Sequence, residues 1–448
     1  MKRILSVVAV AAVAAAALTG CSSGGSSDKV IKVAYQKFGT FTQMDDQMKL
    51  VKKEYEAAHK GTTVKLVPIQ AAENDYYTKL SLMNRSASTA PDVLYEDTFL
   101  IKSDAQAGYL APLDSYVAKW KDWSQFPANA KQAGQGQDGK LYGISMGTDT
   151  RALWYNKDLL KQAGVDVPWK PTSWQDILDA AKKVKASEPG VIPLNVYSGK
   201  PSGEGSTMQG FEMLLYGTQD TLYNTDSKKW ISGSKGFTDS LQFIKDVYQG
   251  NLGPTPEQAL DTNVGNNVAD TWLPKSKLAI DLDGSWMSGN WLKTGAAPWP
   301  DWDKTMGVAA MPTQDGADPG TTSMSGGWTL AVGSKSKNKD AAWDFVKLAL
   351  NQKNSLKYDI AASQIPVRTD VASDPKYTSS NPTAAFFSDL VKVTHFRPAT
   401  SDYPKVSNAI QVAMESVMTG QKSPEAAAKV YDEALPDAVG AKNITKAK

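Results

Sequence analysis

Val30-Ile31-Lys32-Val33-Ala34-Tyr35 alternates in the manner of a strand, and residues 45–59 that follow carry Met48, Val51 and Tyr55 at helical spacing before residues 64–68 turn extended again. Strand, amphipathic helix, strand is the pattern of a βαβ unit. It continues outward with a helix over 73–84, a strand over Pro91-Asp92-Val93-Leu94-Tyr95 and a short helix over 114–120. Strands separated by helices predict a parallel, doubly wound sheet. A second series starts near Leu141, with a strand over 151–155 and a helix over 156–163 stopped by Gly164. Thr172-Ser173-Trp174-Gln175 then offers an N-cap with a capping-box glutamine for a helix over 174–186. Further on, 237–248 and 339–350 read as helices and 278–282 and 329–332 as strands; no repeat of fixed period appears. A chain of 448 residues is long enough for two or three cores, so two α/β lobes meeting at a ligand cleft are expected.

The first residues point to export. Met1-Lys2-Arg3 is basic, and the apolar run over residues 4–18 is too short to cross a roughly 30 Å hydrocarbon layer but suits a signal-peptide core. It ends in Leu18-Thr19-Gly20-Cys21, which resembles the bacterial lipobox, whose cysteine is acylated and becomes the first mature residue. Cys21 is the single cysteine in the chain, and an exported thiol with no disulfide partner suits an anchor. Residues 21–28, rich in Ser and Gly, then form a flexible tether. The formal charge of +2 belongs to the leader: removing residues 1–20 takes away Lys2 and Arg3 and leaves 47 basic against 47 acidic side chains. Attachment to the cell membrane therefore rests on lipid, and no basic excess exists to hold a nucleic acid. A charged content of 21% with 34 Gly and 23 Pro is ordinary globular usage, which excludes disordered and collagen-like chains.

Several motifs mimic catalysis without the setting that catalysis needs. Gly143-Ile144-Ser145-Met146-Gly147 has the form of a nucleophile elbow, but a strand rather than a helix follows it. Gly134-Gln135-Gly136-Gln137-Asp138-Gly139 fits a dinucleotide pattern yet leads into a strand, so it reads as a turn. Asp281-Leu282-Asp283-Gly284 hints at a calcium loop whose twelfth position is Leu292, which supplies no carboxylate. His59 and His395 are the only histidines and stand far apart in the chain, which argues against a histidine-based zinc cluster. No cofactor and no metal are expected.

The chain has 13 Trp against 11 Phe, and five of them, Trp272, Trp286, Trp291, Trp299 and Trp302, fall in one short stretch. Core packing is the default reading for any one of them. Trp286 in Asp283-Gly284-Ser285-Trp286 and Trp328 in Gly326-Gly327-Trp328 are the exceptions, because adjacent glycines let a ring approach a ligand closely. A flat aromatic face suits the C–H face of a pyranose, while carboxylates, amides and arginine address the hydroxyls.

Taken in order, Gly108-Tyr109-Leu110-Ala111-Pro112-Leu113-Asp114, Gly139-Lys140-Leu141-Tyr142-Gly143-Ile144, Trp154-Tyr155-Asn156-Lys157-Asp158 and Thr172-Ser173-Trp174 resemble the family 1 extracellular solute-binding proteins, the maltose-binding-protein-like receptors of sugar transporters. Lys277-Leu278-Ala279-Ile280-Asp281-Leu282-Asp283-Gly284-Ser285-Trp286, Gly307-Val308-Ala309-Ala310-Met311-Pro312, Ile365-Pro366-Val367-Arg368, Met418-Thr419-Gly420 and Ser423-Pro424-Glu425-Ala426 extend the resemblance over the whole mature chain. It implies an α/β, two-lobed, periplasmic-binding-protein-like fold of type II with a hinge and an interlobe cleft. The N-terminal lobe would comprise 29–148 and 313–365, the C-terminal lobe 149–312 and 366–448, with crossings near 147–150, 311–313 and 363–366. It further implies carbohydrate contacts from Gln36, Phe41, Glu96, Asp97, Asp149, Trp286, Trp328, Arg368 and Tyr403. Glu96 stands where maltose-binding members carry a tryptophan, so the particular sugar is not inherited.

The expected function is a non-enzymatic, monomeric receptor outside the cytoplasmic membrane that captures a disaccharide or short oligosaccharide by hinge closure and delivers it to an ABC permease. The alternatives are the same fold serving a peptide, a polyamine or a glycerol phosphate, a surface glycoside hydrolase, and a lectin-like adhesin. Clustered basic residues in the cleft would favour phosphate, and pronounced acidity a polyamine.

Overall fold

A computed structural model describes residues 29–447; residues 1–28, with the leader, Cys21 and the tether, lie outside the described residues. The alternation read from Val30 builds the first sheet. Ile31, Val33 and Tyr35 face one side and pack with Met48, Val51 and Tyr55 of the helix Gln43–Ala58, while Ala34 faces the other side with Tyr76 and Leu80 of Glu73–Asn84. Full burial of an aliphatic chain such as Val33 contributes about 1.5–3 kcal/mol. Lys29–Lys37 pairs in parallel with Thr62–Gln70 and with Val93–Asp97, as βαβ crossovers require.

The sheet is mixed, however, not wholly parallel. Gly327–Val332 enters between Val93–Asp97 and Gly143–Thr148 and runs antiparallel to both. It arrives from the other half of the molecule with no crossover helix, so nothing imposes a parallel direction. The strand Gly143–Thr148 also belongs here, so the second series starts at Arg151 and not near Leu141. Its sheet runs Met306–Ala309, Arg151–Asn156, Leu278–Gly284, Ile192–Asn195, and only the last two are parallel. The helix Trp174–Ser187 is capped as expected by Ser173, but the box is closed by Asp176, the residue at the third helical position; Gln175 bonds Asp179 instead.

Among the described residues the chain crosses between the two bodies three times. The first crossing runs from Thr148 to Arg151. The second lies at Ser325–Gly327, later than the expected 311–313, because Thr321–Ser325 pairs with Met311–Pro312 and Thr394–Phe396, and Met324 packs in the core around the second sheet. The third also comes later than 363–366: Arg368 donates to the Leu350 carbonyl, and Tyr377 donates to the Gln364 carbonyl, so residues 366–378 stay on the first body. Thr148 and Ile365 are bridged to each other, which ties the start of the first crossing to the segment 363–366 on the first body.

Candidate functional site

Between the two bodies lies a cleft of about 460 Å³. Gln36 and Asp97 reach it from the C-terminal ends of parallel strands of the first sheet, where ligands of α/β sheets gather, and Phe41 from the loop after Lys37. Gln36 is held by its own amide, which donates to the Ala71 carbonyl at 3.0 Å.

The two tryptophans singled out by their glycines both line the cleft, each with one face backed by protein. Trp328 stacks on Tyr95 at 4.3 Å with 6° between planes, and Trp286 lies 4.7 Å from the Arg151 guanidinium. The glycines matter in two different ways. A Cβ on Gly284 would fall about 2.0 Å from the Trp286 ring itself, so the ring folds back over its own backbone. Gly327 holds φ at +144° and lies against the Gly147 carbonyl, which joins the first and second crossings.

Asp149 and Arg151 form a buried ion pair on the first crossing. Asp149 also accepts from the Gly326 backbone N–H at 2.8 Å, and Arg151 donates to the Met324 carbonyl at 3.1 Å. A second buried arginine, Arg397, follows the strand Thr394–Phe396. Its Nη2 lies 2.7 Å from Asp97 and its Nη1 3.3 Å from Glu204, with the Phe99 ring 4.3 Å from the guanidinium carbon. Tyr77 completes the site by donating to the other Asp97 oxygen at 2.8 Å. Glu73, at the start of its helix, is half-buried by area yet crowded by both bodies; that loss of water, with Asp97 and Glu204 nearby, pushes its carboxyl up to about 8.

Three expected contacts do not reach the cleft. Glu96 is buried on the opposite face of the strand from Asp97, as the two-residue period dictates. Burial, with the neighbouring Asp104, holds its carboxyl well above the usual range. Arg368, 2% exposed, is consumed by Asp370, Asp122 and the Leu350 carbonyl. Tyr403 is fully buried behind the cleft wall, where its hydroxyl lies 3.0 Å from Glu204 and 3.2 Å from Glu212. One hydroxyl proton cannot serve two carboxylates. Burial and Glu204 push the Glu212 carboxyl up to about 8, and the Tyr403 hydroxyl lies between the two acids.

Arg151, Arg397, Glu204 and Glu73 escaped the sequence reading. Arg151 carried a usable signal, a lone charge opening the apolar strand Arg151–Asn156 two residues after Asp149. Arg397 and Glu204 carried none, since only the tertiary fold brings them together.

The catalytic mimics are structural. Ser145 is buried in its strand and donates to the Ala130 carbonyl, and His395 stacks on Tyr216 at 4.5 Å. Asp281 and Asp283 lie in a strand, bonded by Asn195 and Tyr197. Among the described residues no cluster of three His, Cys, Asp or Glu could hold a metal, and no helix is long and apolar enough to cross a membrane.

A probable ABC transporter-binding protein of Deinococcus radiodurans is 27% identical over 392 residues, 84% of this chain and 86% of its own. The galactooligosaccharide-binding protein of Bacillus subtilis is 24% identical over 388 residues, 85% of each chain. Among solved structures, the GacH receptor of Streptomyces glaucescens, studied unliganded and with acarbose and an acarbose homolog, is similar with a TM-score of 0.78 at 26% identity, over 93% of this chain and 100% of that one. The model of the bacterial extracellular solute-binding proteins matches residues 39–355. Two sheets joined by three crossings around one cleft, together with a family match over most of its length, establish that the chain belongs to the bacterial extracellular solute-binding protein family.

Proposed function

We propose that this receptor captures a neutral disaccharide or short oligosaccharide for an ABC importer. The observation that carries the reading is the pair of half-buried tryptophans, Trp286 and Trp328, backed by Arg151 and Tyr95 and lining a cleft of oligosaccharide size. The sugars named for the Streptomyces and Bacillus relatives support it. The charges of the cleft favour a neutral ligand: Arg151 and Arg397 are already neutralised by Asp149, Asp97 and Glu204, and Lys200 with Glu73 and Asp75 makes the rest of the charged lining a mixed set rather than a cluster of cations for a phosphate or of acids for a polyamine. No chemical step is assigned to the site.

In this reading, residues 29–148 and 327–381 form one lobe and 151–325 and 384–447 the other, and the sugar is enclosed as they swing about the three crossings. Gln36, Phe41, Asp97, Asp149, Trp286 and Trp328 are its contacts. The protein acts as a monomer beside its permease, held to the outer face of the cell membrane through lipid on Cys21. Intrinsic tryptophan fluorescence titrated with a panel of neutral oligosaccharides, glycerol phosphate and spermidine tests the ligand class. Saturable micromolar binding, roughly −8 kcal/mol, is expected for one or more of the sugars; a response only to the phosphate or the amine would overturn the reading.

Two further outcomes are expected. Cys21→Ala releases the protein from the membrane fraction into the medium, and a variant that stays in the membrane fraction removes the anchor. Closure raises the affinity of Glu73 for a proton above its value in an open, hydrated cleft, so the closed form binds more protons than the open one. Sugar affinity is then greatest at acid pH, weakens as pH rises toward about 8, and is level beyond it. Isothermal titrations across this range should show that slope flatten in Glu73→Gln; an equal slope in both proteins would assign it elsewhere.

A further inference from the structure

We infer that Arg397 is a positioning residue that draws the two lobes together across the floor of the cleft, by dividing one guanidinium between Asp97 of the first lobe and Glu204 of the second. This rests on the receptor reading only for its consequence on sugar release. The geometry itself stands apart from any ligand.

Arg397 belongs to the second lobe, through the pairing of Thr394–Phe396 with Thr321–Ser325, whereas Asp97 ends a central strand of the first sheet. All three charged groups are buried. Each carboxylate is fixed from its own side: Tyr77 donates to Asp97 at 2.8 Å, and Ser407 and Tyr403 donate to Glu204. The arginine therefore meets two preset acceptors, and its planar fork can serve both at once, which a point charge on a lysine cannot. Phe99, on the first lobe beside Asp97, lies under the guanidinium and touches the edge of Tyr403 on the second.

Opening the cleft separates these partners unequally. Glu204 travels with Arg397, but Asp97 loses its cation and must be rehydrated. The other polar contacts between the lobes, Thr40 with Asn266 and Asp270 at the rim and Gln43 with the Gly289 carbonyl and Ser288 with Ser363 and Asn381 deeper in, carry no cation, so among the described residues Arg397 supplies the charge pairing across the cleft. Since a buried pair resists separation more than it favours folding, its effect falls on the open–closed balance.

Small-angle scattering of the ligand-free protein and stopped-flow release of the tightest-binding sugar test this. Arg397→Ala should give a larger radius of gyration than wild type without ligand and at least a tenfold faster release, with association changed less than threefold. Arg397→Lys should fall between. Circular dichroism and the melting temperature verify folding; if Arg397→Ala does not fold, Arg397→Met combined with Asp97→Asn and Glu204→Gln removes the charges together and should show the same opening. Unchanged scattering in a folded variant overturns the inference. If wild type binds no sugar while the variant still opens, the ligand reading fails and the role of Arg397 stands.

Discussion

Arg151→Ala is expected to lower the unfolding free energy by about 3–5 kcal/mol, the cost of leaving a buried partner charge uncompensated. Arg151 is 5% exposed and Asp149 6%, so neither can turn to water without moving the first crossing. The loss is compound. Asp149 keeps only its bond from the Gly326 N–H, the Met324 carbonyl loses its donor, and the ring of Trp286 loses the cation behind it. Urea unfolding measures the total, and Asp149→Asn in the same chain should recover part of it because the stranded charge is then gone. A single-variant loss below about 1 kcal/mol would show the pair to be hydrated and unimportant to the crossing.

Trp286→Ala should weaken sugar binding by about 2–3 kcal/mol, roughly 30- to 150-fold, as removal of a central aromatic anchor does. Trp286 is the cleaner probe of the two platforms. Its ring folds over Gly284 and beneath Arg151 at the cleft wall, whereas Trp328 also packs among Tyr76, Tyr77 and Tyr95, where truncation would open a cavity in the first lobe. Calorimetric titration reads the change directly, and Trp286→Phe should retain part of the affinity. Affinity unchanged in Trp286→Ala would remove the ring from the site.

Most of the first lobe was legible because its information is local. Alternation over 30–35 and helical spacing over 45–59 each set a face, and burial of those faces against each other leaves few arrangements. The antiparallel entry of Gly327–Val332 was not legible, since a strand's direction in a sheet is decided by a partner distant in sequence. The same division holds in the cleft. Gln36, Asp97 and Asp149 lie there because strand ends and crossings face it, a consequence of topology that the resemblance carried. Glu96 was misplaced by a single residue, enough to turn a side chain to the far side of the sheet. Arg368 was misplaced because four of its five N–H donors are spent on structural partners away from the cleft, a fact visible only once Asp122 and Leu350 are brought beside it.

The tryptophans show the limit most plainly. Trp272, Trp291 and Trp302 are buried and pack with Trp154 in one core, with Trp299 against its edge, yet their Gly-, Pro- and Asp-rich surroundings look like those of Trp286. Composition places a ring on a turn. Only the fold decides whether that turn faces a cleft or the interior.

Co-crystallisation with the tightest-binding neutral oligosaccharide tests the central claim most directly. The account predicts closed lobes and a pyranose face stacked about 4 Å from the ring of Trp286 or Trp328, with hydroxyls bonded among Asp97, Asp149 and Glu73. A sugar bound outside this cleft, or lying within it and touching neither ring, would contradict it.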